Sequence, residues 1–324
     1  MPKAALLIIS LLSLSLHAQN NALVKEKDVL EFRKLSIQRL GQDALDTTKW
    51  DLGGNFGIQF TQASYSNWQA GGVNSIAGNS IFNGFANYIG KGKWVWSNAM
   101  TLAYGVNFQD TIFNKTDDRI EIESRLDYLH SKKWSYSALL NFRTQFRPGY
   151  ENPGDIGDDV KVSDFMAPGY FLFGLGATNK PNKRFTMFLS PITAKATIVT
   201  VQRLADEGAY GVDPGSNYRL EAGAYANITY KRKLWKNVDL QGRIDLFSNY
   251  VEDPSLIDIN SELIMFFKVN KFIKANISLA YIYDHNVKFY LDENNPDLGV
   301  PRSQFKQVLS IGFSYDFGAA AKDE

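Results

Sequence analysis

The chain of 324 residues contains no cysteine. Disulfides, thiolate metal sites, a cysteine nucleophile and a cysteine-linked lipid anchor are therefore excluded. An excess of basic charge is also absent, because 35 Lys and Arg residues stand against 34 Asp and Glu residues. A net charge of +1 provides no field that would attract nucleic acid, so we expect no nucleic-acid partner.

Long apolar stretches are scarce after the first residues, and the mean hydropathy is −0.25. This value argues against a membrane protein built from helices. It does not exclude a membrane β-barrel, because barrel strands alternate polar with apolar residues and look soluble on average. Aromatic residues are plentiful, and 22 Phe, 16 Tyr and 6 Trp argue against a disordered protein.

Residues 1–18 have the pattern of a secretory signal peptide. Lys3 precedes an apolar stretch from Ala4 to Leu16, and Ala18 is a small residue suited to cleavage. The stretch is shorter than the roughly 20 residues that a membrane-spanning helix needs. Residues 19–49 are charged and rich in helix formers, which predicts a periplasmic N-terminal arm that is either a short helix or disordered.

Residues from about 52 onward alternate between apolar and polar with a period of two. In the window 134–147, aromatic and apolar residues occupy most even positions, and polar residues occupy most odd positions. The windows 118–130, 218–230 and 238–246 alternate in the same way. This period predicts β-strands with one polar face, in a soluble sandwich or in a barrel.

Three features favour the barrel. The strand windows run to about ten residues or more, whereas soluble strands usually have about five or six. Short and long connections alternate along the chain. Aromatic residues cluster at the ends of the windows, as in the girdles of membrane barrels. These aromatic residues are Tyr88, Trp94, Trp96, Trp134, Trp235, Phe272 and Phe289.

The connections predict the topology. The short ones are 90–93, 131–133, 180–184, 231–237 and 270–271, and the outer ones are 70–72, 109–117, 148–162, 205–216, 251–256 and 290–302. Five turns and six outer loops join twelve strands, with both termini on one side. We therefore predict an all-β fold, a closed antiparallel transmembrane β-barrel of about 12 strands over residues 50–317, with a short tail at 318–324.

The last strand carries a further mark of this class. Gly312 is followed by two aromatic residues two positions apart, Tyr315 and Phe317, on a strand with one apolar face. This arrangement is similar to the C-terminal insertion signal of outer-membrane barrels. It implies the barrel-assembly machinery as a partner during insertion.

Four stretches resemble a known family. They are SYSNWQAGGVNSIAGN at 64–79, NFRTQF at 141–146, DFMAPGYFLFGLG at 164–176 and FLSPITAK at 188–195. They resemble the domain-of-unknown-function family 3078, a family of exported bacterial proteins, over most of the chain from about Trp50 to Phe317. The resemblance implies an outer-membrane barrel without an assigned activity, and it implies no catalytic residues.

Residues suited to catalysis or metal binding are few. His130 lies at a short turn and His285 near an outer loop, so the predicted topology keeps them apart. We predict no catalytic, cofactor-binding or metal site and no cofactor. The acidic loop 151–164 offers either calcium ligands or an ordinary solvated surface. A lipid hydrolase embedded in the barrel is the distant alternative, although no G-x-S-x-G motif is present.

The polar faces of the strands carry charges of both signs, which we expect to line the lumen. The candidates are Glu121, Glu123, Arg125, Arg143, Arg147, Arg219, Glu221, Asp239, Arg243, Asp245 and Glu262. They form either a solute pathway whose charges set selectivity or a network of ion pairs that fills a narrow barrel. Pro168 and Pro191 fall within strand windows, so each marks a bulge, a kink or a strand end and a possible side opening.

The sequence therefore predicts a barrel in the outer membrane of a Gram-negative bacterium, exported by a signal peptide and in contact with outer-membrane lipid. The leading function is a channel or transporter for small solutes, without enzymatic activity. The alternative is a non-conducting scaffold that binds other envelope proteins. The residues identify no solute.

Overall fold

The computed structural model describes residues 49–63, 75–90, 92–109, 112–152, 155–157, 160–182, 184–270, 272–286, 288–289 and 300–318. The predicted signal peptide, nearly all of the predicted arm and the residues after 318 lie outside the described residues. Among the described residues, no helix is long and apolar enough to cross a membrane.

Twelve antiparallel strands form a closed barrel, which confirms the predicted fold class. They are β1 Lys49–Ala63, β2 Ser75–Ile89, β3 Trp94–Gln109, β4 Ile112–Leu129, β5 Trp134–Thr144, β8 Gly169–Asn182, β9 Phe185–Ile198, β10 Tyr218–Trp235, β11 Val238–Asn249, β12 Ile257–Lys268, β13 Ile273–Tyr283 and β16 Gln304–Gly318. Each pairs with its neighbours in chain order, and β16 pairs with β1 to close the ring.

The remaining elements are small and lie between barrel strands. Strand β6 (Gly149–Tyr150) pairs with β7 (Lys161–Ser163), and β14 (Lys288–Phe289) pairs with β15 (Val300–Pro301). The helix α1 (Gln202–Asp206) and a 3₁₀ turn (Ala209–Gly211) lie between β9 and β10.

Five short turns lie at one end of the barrel, here called the turn end, together with the start of β1 and the end of β16. The opposite end, the loop end, carries the other six connections. Two connections are much shorter than predicted. The connection expected at 109–117 shrinks to 110–111, and the turn expected at 231–237 shrinks to 236–237. The reason is that β4 and β10 extend about six residues past their alternating windows, with a bulge in each extension.

Residues alternate between the two faces of the barrel wall along each strand. On β10, Leu220 is exposed on the outer face and Glu221 is buried on the inner face. On β5, Tyr136 and Leu140 are exposed outside, whereas Ser137 and Asn141 are buried inside. The barrel therefore turns an apolar surface outward and encloses polar side chains, the arrangement of a barrel surrounded by lipid.

Aromatic side chains form a belt around the turn end. Trp94, Trp134 and Trp235 lie at strand ends and remain exposed. Trp50, which the sequence analysis did not single out, packs against Tyr88 with ring centroids 5.1 Å apart. Such rings favour the membrane–water interface because their bodies are apolar and their N–H or O–H groups are polar.

The two strand prolines sit where the ladder permits them. Pro168 directly precedes the first residue of β8. Pro191 lies at a bulge of β9, where the register shifts against both β8 and β10. The hydroxyl of Ser190 lies 2.9 Å from the carbonyl oxygen of Leu175, across the bulge. The two strands stay paired from Gly169↔Ile198 to Asn182↔Phe185, so these prolines do not open the wall between them.

A charged side chain on the outer face of the barrel should reduce folding into lipid. Leu140 is 47% exposed in the central part of β5. Leu140→Arg should reduce folding into lipid vesicles, because a lipid-facing arginine near the midplane costs about 2 to 4 kcal/mol. Heat-dependent gel mobility measures the folded fraction, and Leu140→Ala controls for lost side-chain volume. Equal folding of the two variants would contradict the assignment of the faces.

Candidate functional site: the lumen and its mouth

Ten of the eleven predicted lumen residues lie on inward-facing positions of barrel strands. They are Glu121, Glu123 and Arg125 on β4, Arg143 on β5, Arg219 and Glu221 on β10, Asp239, Arg243 and Asp245 on β11, and Glu262 on β12. Arg147 departs from the prediction. Strand β5 ends at Thr144, so Arg147 lies in the following connection and is exposed at the loop end.

Four charged residues form a cluster across the lumen, here called the cross-lumen cluster: Glu121, Arg143, Arg243 and Asp245. The Nε of Arg143 donates to Glu121 at 3.0 Å, and the Nε of Arg243 lies 2.6 Å from Asp245. Each guanidinium group also interacts electrostatically with the carboxylate of the other pair. Three strands separate β5 from β11 around the ring, so these side chains bridge different walls.

Neutral donors complete the cluster. Asn141 donates to Glu121 at 3.2 Å, and Asn227 donates to Asp245 at 2.5 Å. The hydroxyl of Tyr225 also donates to Asp245. Arg243 is only 4% exposed and Glu121 only 6%. The lumen is therefore packed at this level, and its charges neutralise one another.

Further charge pairs lie toward each end of the barrel. Near the turn end, Arg125 donates to Asp127 at 3.0 Å, and Ser137 donates to the same carboxylate at 2.5 Å. Near the loop end, Lys195 lies 3.2 Å from Glu221 and 3.3 Å from Asp258. Charge pairing thus extends along much of the length of the lumen.

The opposite wall is largely neutral. Among the described side chains, Asp51 and the Lys274–Asp316 pair near the turn end are the inward charges of β13, β16, β1, β2 and β3. The rest of this wall is lined by neutral side chains. The buried apolar ones are Ile81, Phe85, Ile89, Val95, Ala103 and Ala280. The polar ones are Asn55, Gln59, Asn79, Asn83, Asn87, Thr101, Asn107, Asn276, Ser278, Ser310 and Ser314. Some of these bond to one another, as in Thr101 to Asn83 at 2.8 Å.

A cavity of about 870 Å³ lies at the loop end between β4 and the connection that follows β5, and we call it the mouth cavity. Asp117 and Arg119 on the inward face of β4 line it, together with Arg147 and Tyr150. Arg119 lies 3.9 Å from Glu121, so the cavity adjoins the cross-lumen cluster.

The edge of β4 beyond the end of β5 is closed by side chains. Asp118 accepts the backbone N–H groups of Phe146 at 2.7 Å and of Arg147 at 2.9 Å. Lys115 pairs with Asp118 at 2.9 Å and donates to the carbonyl oxygen of Arg147 at 2.6 Å. This ion pair fixes one wall of the mouth cavity.

Residues 160–168 and 199–217 form a folded cap at the loop end. Its apolar core contains Ala167, Val199, Leu204, Ala205 and Val212, with Tyr210 packed against it. The hydroxyl of Tyr210 donates to the carbonyl oxygen of Val162, and burial raises the pKa of this tyrosine to about 12. Arg219 donates to the carbonyl oxygen of Gly211 at 2.7 Å and so joins the cap to β10.

The sequence analysis missed several lumen residues. Lys195 was missed because the bulge at Pro191 shifts the inward–outward alternation of β9 by one residue, so that Lys195 faces the lumen. Tyr225 was missed because aromatic residues were assigned to the outer face. Asp127, by contrast, was expected in the lumen because it continues the alternation of Glu121, Glu123 and Arg125, and it is buried there.

The predicted candidates for other chemistry are scattered. The ring of His130 packs against Tyr136 at the turn end, whereas His285 donates its backbone N–H to Asp258 at the loop end. Of the acidic loop, Glu151 and Asp155 line the mouth cavity, while Asp158 and Asp159 lie outside the described residues. No group of three or more metal-ligating side chains occurs within the described ranges.

The closed ring, the apolar outer face and the polar lumen define a β-barrel of the outer-membrane type. A family model described as a protein of unknown function (DUF3078) matches residues 60–150. The match confirms the resemblance over residues 60–150, which contain the stretches 64–79 and 141–146, whereas the stretches 164–176 and 188–195 lie outside the match. A search of curated proteins found no match.

Solved structures with a similar fold are outer-membrane barrels. An outer membrane channel from Pseudomonas putida F1 is 8% identical, with a TM-score of 0.37 over 84% of this chain and 96% of that chain. A NanC porin is 7% identical, with a TM-score of 0.36 over 81% and 98%. Outer membrane phospholipase A from Escherichia coli is 7% identical, with a TM-score of 0.34 over 81% and 90%. These likenesses concern the fold alone.

The cross-lumen cluster should stabilise the barrel. Arg243→Gln leaves Asp245 buried beside a neutral partner, so we expect a loss of about 3 to 5 kcal/mol in unfolding free energy. Urea titration in vesicles measures it. Adding Asp245→Asn should recover part of the loss, and Arg232→Gln, at an exposed position of β10, is the control. Equal effects of Arg243→Gln and Arg232→Gln would contradict the buried pairing.

The stability of the cap should decrease at alkaline pH. Since the pKa of Tyr210 is raised from about 10 to about 12, its stabilisation is complete below pH 10 and is lost as the pH rises through 12. A dye attached to Asp213→Cys in this cysteine-free chain reports the transition. Tyr210→Phe should weaken this pH dependence, whereas Tyr218→Phe, at an exposed position, should retain it. An unchanged transition in Tyr210→Phe would contradict the assignment.

Proposed function

We propose that the protein is a selective outer-membrane channel for small polar solutes. Solutes enter through the mouth cavity and pass a constriction formed by the cross-lumen cluster. The observation that supports this proposal is that the mouth cavity is continuous with the cross-lumen cluster. Asp117 and Arg119 line the cavity and lie on the same inward face of β4 as Glu121, a member of the cluster.

The constriction favours solutes without a large net charge. Two arginines and two carboxylates pair there, so neither sign dominates the field at this level. A small solute with both donors and acceptors can replace contacts within the cluster one at a time. Bulky or strongly charged solutes would have to break several pairs at once.

A non-conducting scaffold is the second candidate, and the burial of the lumen charges favours it. Arg125 is 2% exposed, and Arg243 is nearly as buried. If these pairs never separate, the barrel serves to hold the cap and the loop-end connections in place for envelope partners. The two candidates differ in whether ions cross the barrel.

The proposal includes the absence of enzymatic activity. A hydrolase of the serine–histidine type needs both side chains within hydrogen-bond reach. His130 and His285 lie at opposite ends, and among the described residues no serine hydroxyl is bonded to either ring. We further propose that the assembly machinery recognises β16, where Tyr315 is exposed and Gly312 faces inward next to Gln59.

Conductance in planar lipid bilayers tests the channel. The wild-type protein should give small conductance steps, and Arg243→Ala combined with Asp245→Ala should give larger ones, because one ion pair is removed while the net charge is kept. Arg232→Ala should behave as the wild type. If folded wild-type protein and the folded pair variant both fail to conduct, the channel is excluded and the scaffold remains.

A further inference from the structure

The seam that closes the barrel is shorter than every other junction between described neighbouring strands. Strands β1 and β16 are paired at seven positions, from Gly53↔Gly318 to Gln59↔Gly312, whereas the other junctions have ten or more. Beyond Gln59, β1 continues to Ala63 but pairs only with β2. Residues 304–311 of β16 pair only with β13. The two strand edges thus leave a notch in the loop-end half of the wall.

The lower limit of the notch is set by a glycine. A Cβ atom on Gly312 would lie 2.6 Å from the Cγ of Gln59 and 2.5 Å from the carbonyl oxygen of Ile58. The side chain of Gln59 therefore occupies the space that Gly312 leaves free. The two strands are paired up to this point and are not paired with each other above it.

The outer border of the notch is apolar. Phe60 is 65% exposed on the β1 side, and Leu309 and Ile311 are exposed on the β16 side. All three lie on the outward faces of their strands. An apolar chain lying along the notch would contact these side chains and cover unpaired backbone, which is costly to leave bare in a membrane.

The inner border is polar and holds buried acceptors without donors. Asn276 is the register partner of Ser310, and Asn79 is the partner of Gln59. The Oδ1 atoms of Asn79 and Asn276 and the Oγ of Ser310 are buried without a hydrogen-bond partner among the described residues. Asn276 is only 5% exposed. Buried acceptors of this kind are satisfied by a ligand that brings hydroxyl donors.

The charge of the ligand follows from the wall behind the notch. The described inward side chains near these acceptors include the apolar Ile81 and Phe266 and charged groups that already have partners. Lys274, the register partner of Gly312, pairs with Asp316 at 2.7 Å, and Glu262 accepts a hydrogen bond from Ser278 at 2.9 Å. Among the described side chains, a charged head would therefore meet only charges that are already paired, and it would lose its hydration. A neutral head with hydroxyl groups fits this wall.

We infer that the notch between β1 and β16 is a binding cleft, open sideways to the membrane, for amphipathic molecules with a neutral hydroxyl-bearing head and one apolar tail. The head bonds to Asn79, Asn276 and Ser310, and the tail leaves between Phe60 and Ile311. The cleft requires no open axial path, so it goes beyond the proposed channel.

Photolabelling of the full chain in lipid vesicles tests the cleft. The probe is dodecyl glucoside with a diazirine on its tail. It should label the edges of β1 and β16 saturably, as read by mass spectrometry. In the double variant Gln62→Cys/Leu309→Cys, oxidation should abolish this labelling and reduction should restore it, because a disulfide holds the two Cα atoms within about 7 Å and closes the notch.

The matched control is Ile58→Cys/Phe313→Cys, two register partners on the outer face of the paired part of the seam. Oxidation there should leave the labelling unchanged. Labelling that does not saturate, or that survives the Gln62/Leu309 disulfide, would overturn the cleft. Conductance measured on the same samples reports the channel separately, so failure of one proposal is distinguishable from failure of the other.

The head is tested by removing its partners. Asn276→Leu and Ser310→Ala should each weaken saturable labelling about fivefold, the effect of one ordinary hydrogen bond. Ser314→Ala, on the same face within the paired seam, should not. A dodecane probe without a head should not distinguish these variants, and equal losses with both probes would overturn the head site. Disulfide dimers of Leu309→Cys, with no labelling of the wild type, would instead show that the notch pairs two copies.

Discussion

Closure of the sheet forces the polar groups of this chain to find their partners inside the ring. Once β1 meets β16, every second side chain faces a confined space where an unpaired charge is costly. The pairs Glu121–Arg143 and Arg243–Asp245 meet that requirement, and the contacts between them join separate walls. The shape of the lumen therefore depends on charge pairing as much as on strand number.

The division between a charged and a neutral wall gives the two halves of the barrel different properties. Ion pairs are strong but require well-defined geometry, so β4 to β12 form a rigid half around the cluster. Amides such as Asn83 and Asn55 donate and accept at low cost and can exchange partners. The short seam lies in this second half, where fewer interactions across the lumen restrain the wall.

The sequence contains most of the barrel but less of its interior. Alternation predicts the faces of β4, β5, β10 and β11 because each side chain in a strand simply points in or out. It fails at the bulge near Pro191, which hides Lys195, and at strand ends, which misplaced Arg147. The sequence did not predict the cap, because its apolar core brings together residues as far apart in the chain as Ala167 and Val212. Ion pairs across the lumen likewise could not be predicted, because they join side chains of strands that are far apart in the sequence.

The ion pair on the exposed edge of β4 has a mechanical consequence. Along most of its length the wall is secured by a backbone ladder, but here side chains hold the chain after β5. Asp118 accepts two backbone N–H groups, and Lys115 donates to the carbonyl oxygen of Arg147. Releasing them costs far less than unzipping a strand, so this edge belongs to the part of the protein that opens first under thermal fluctuation. Opening of this edge would change the wall of the mouth cavity, because Asp118 and Arg147 line that cavity.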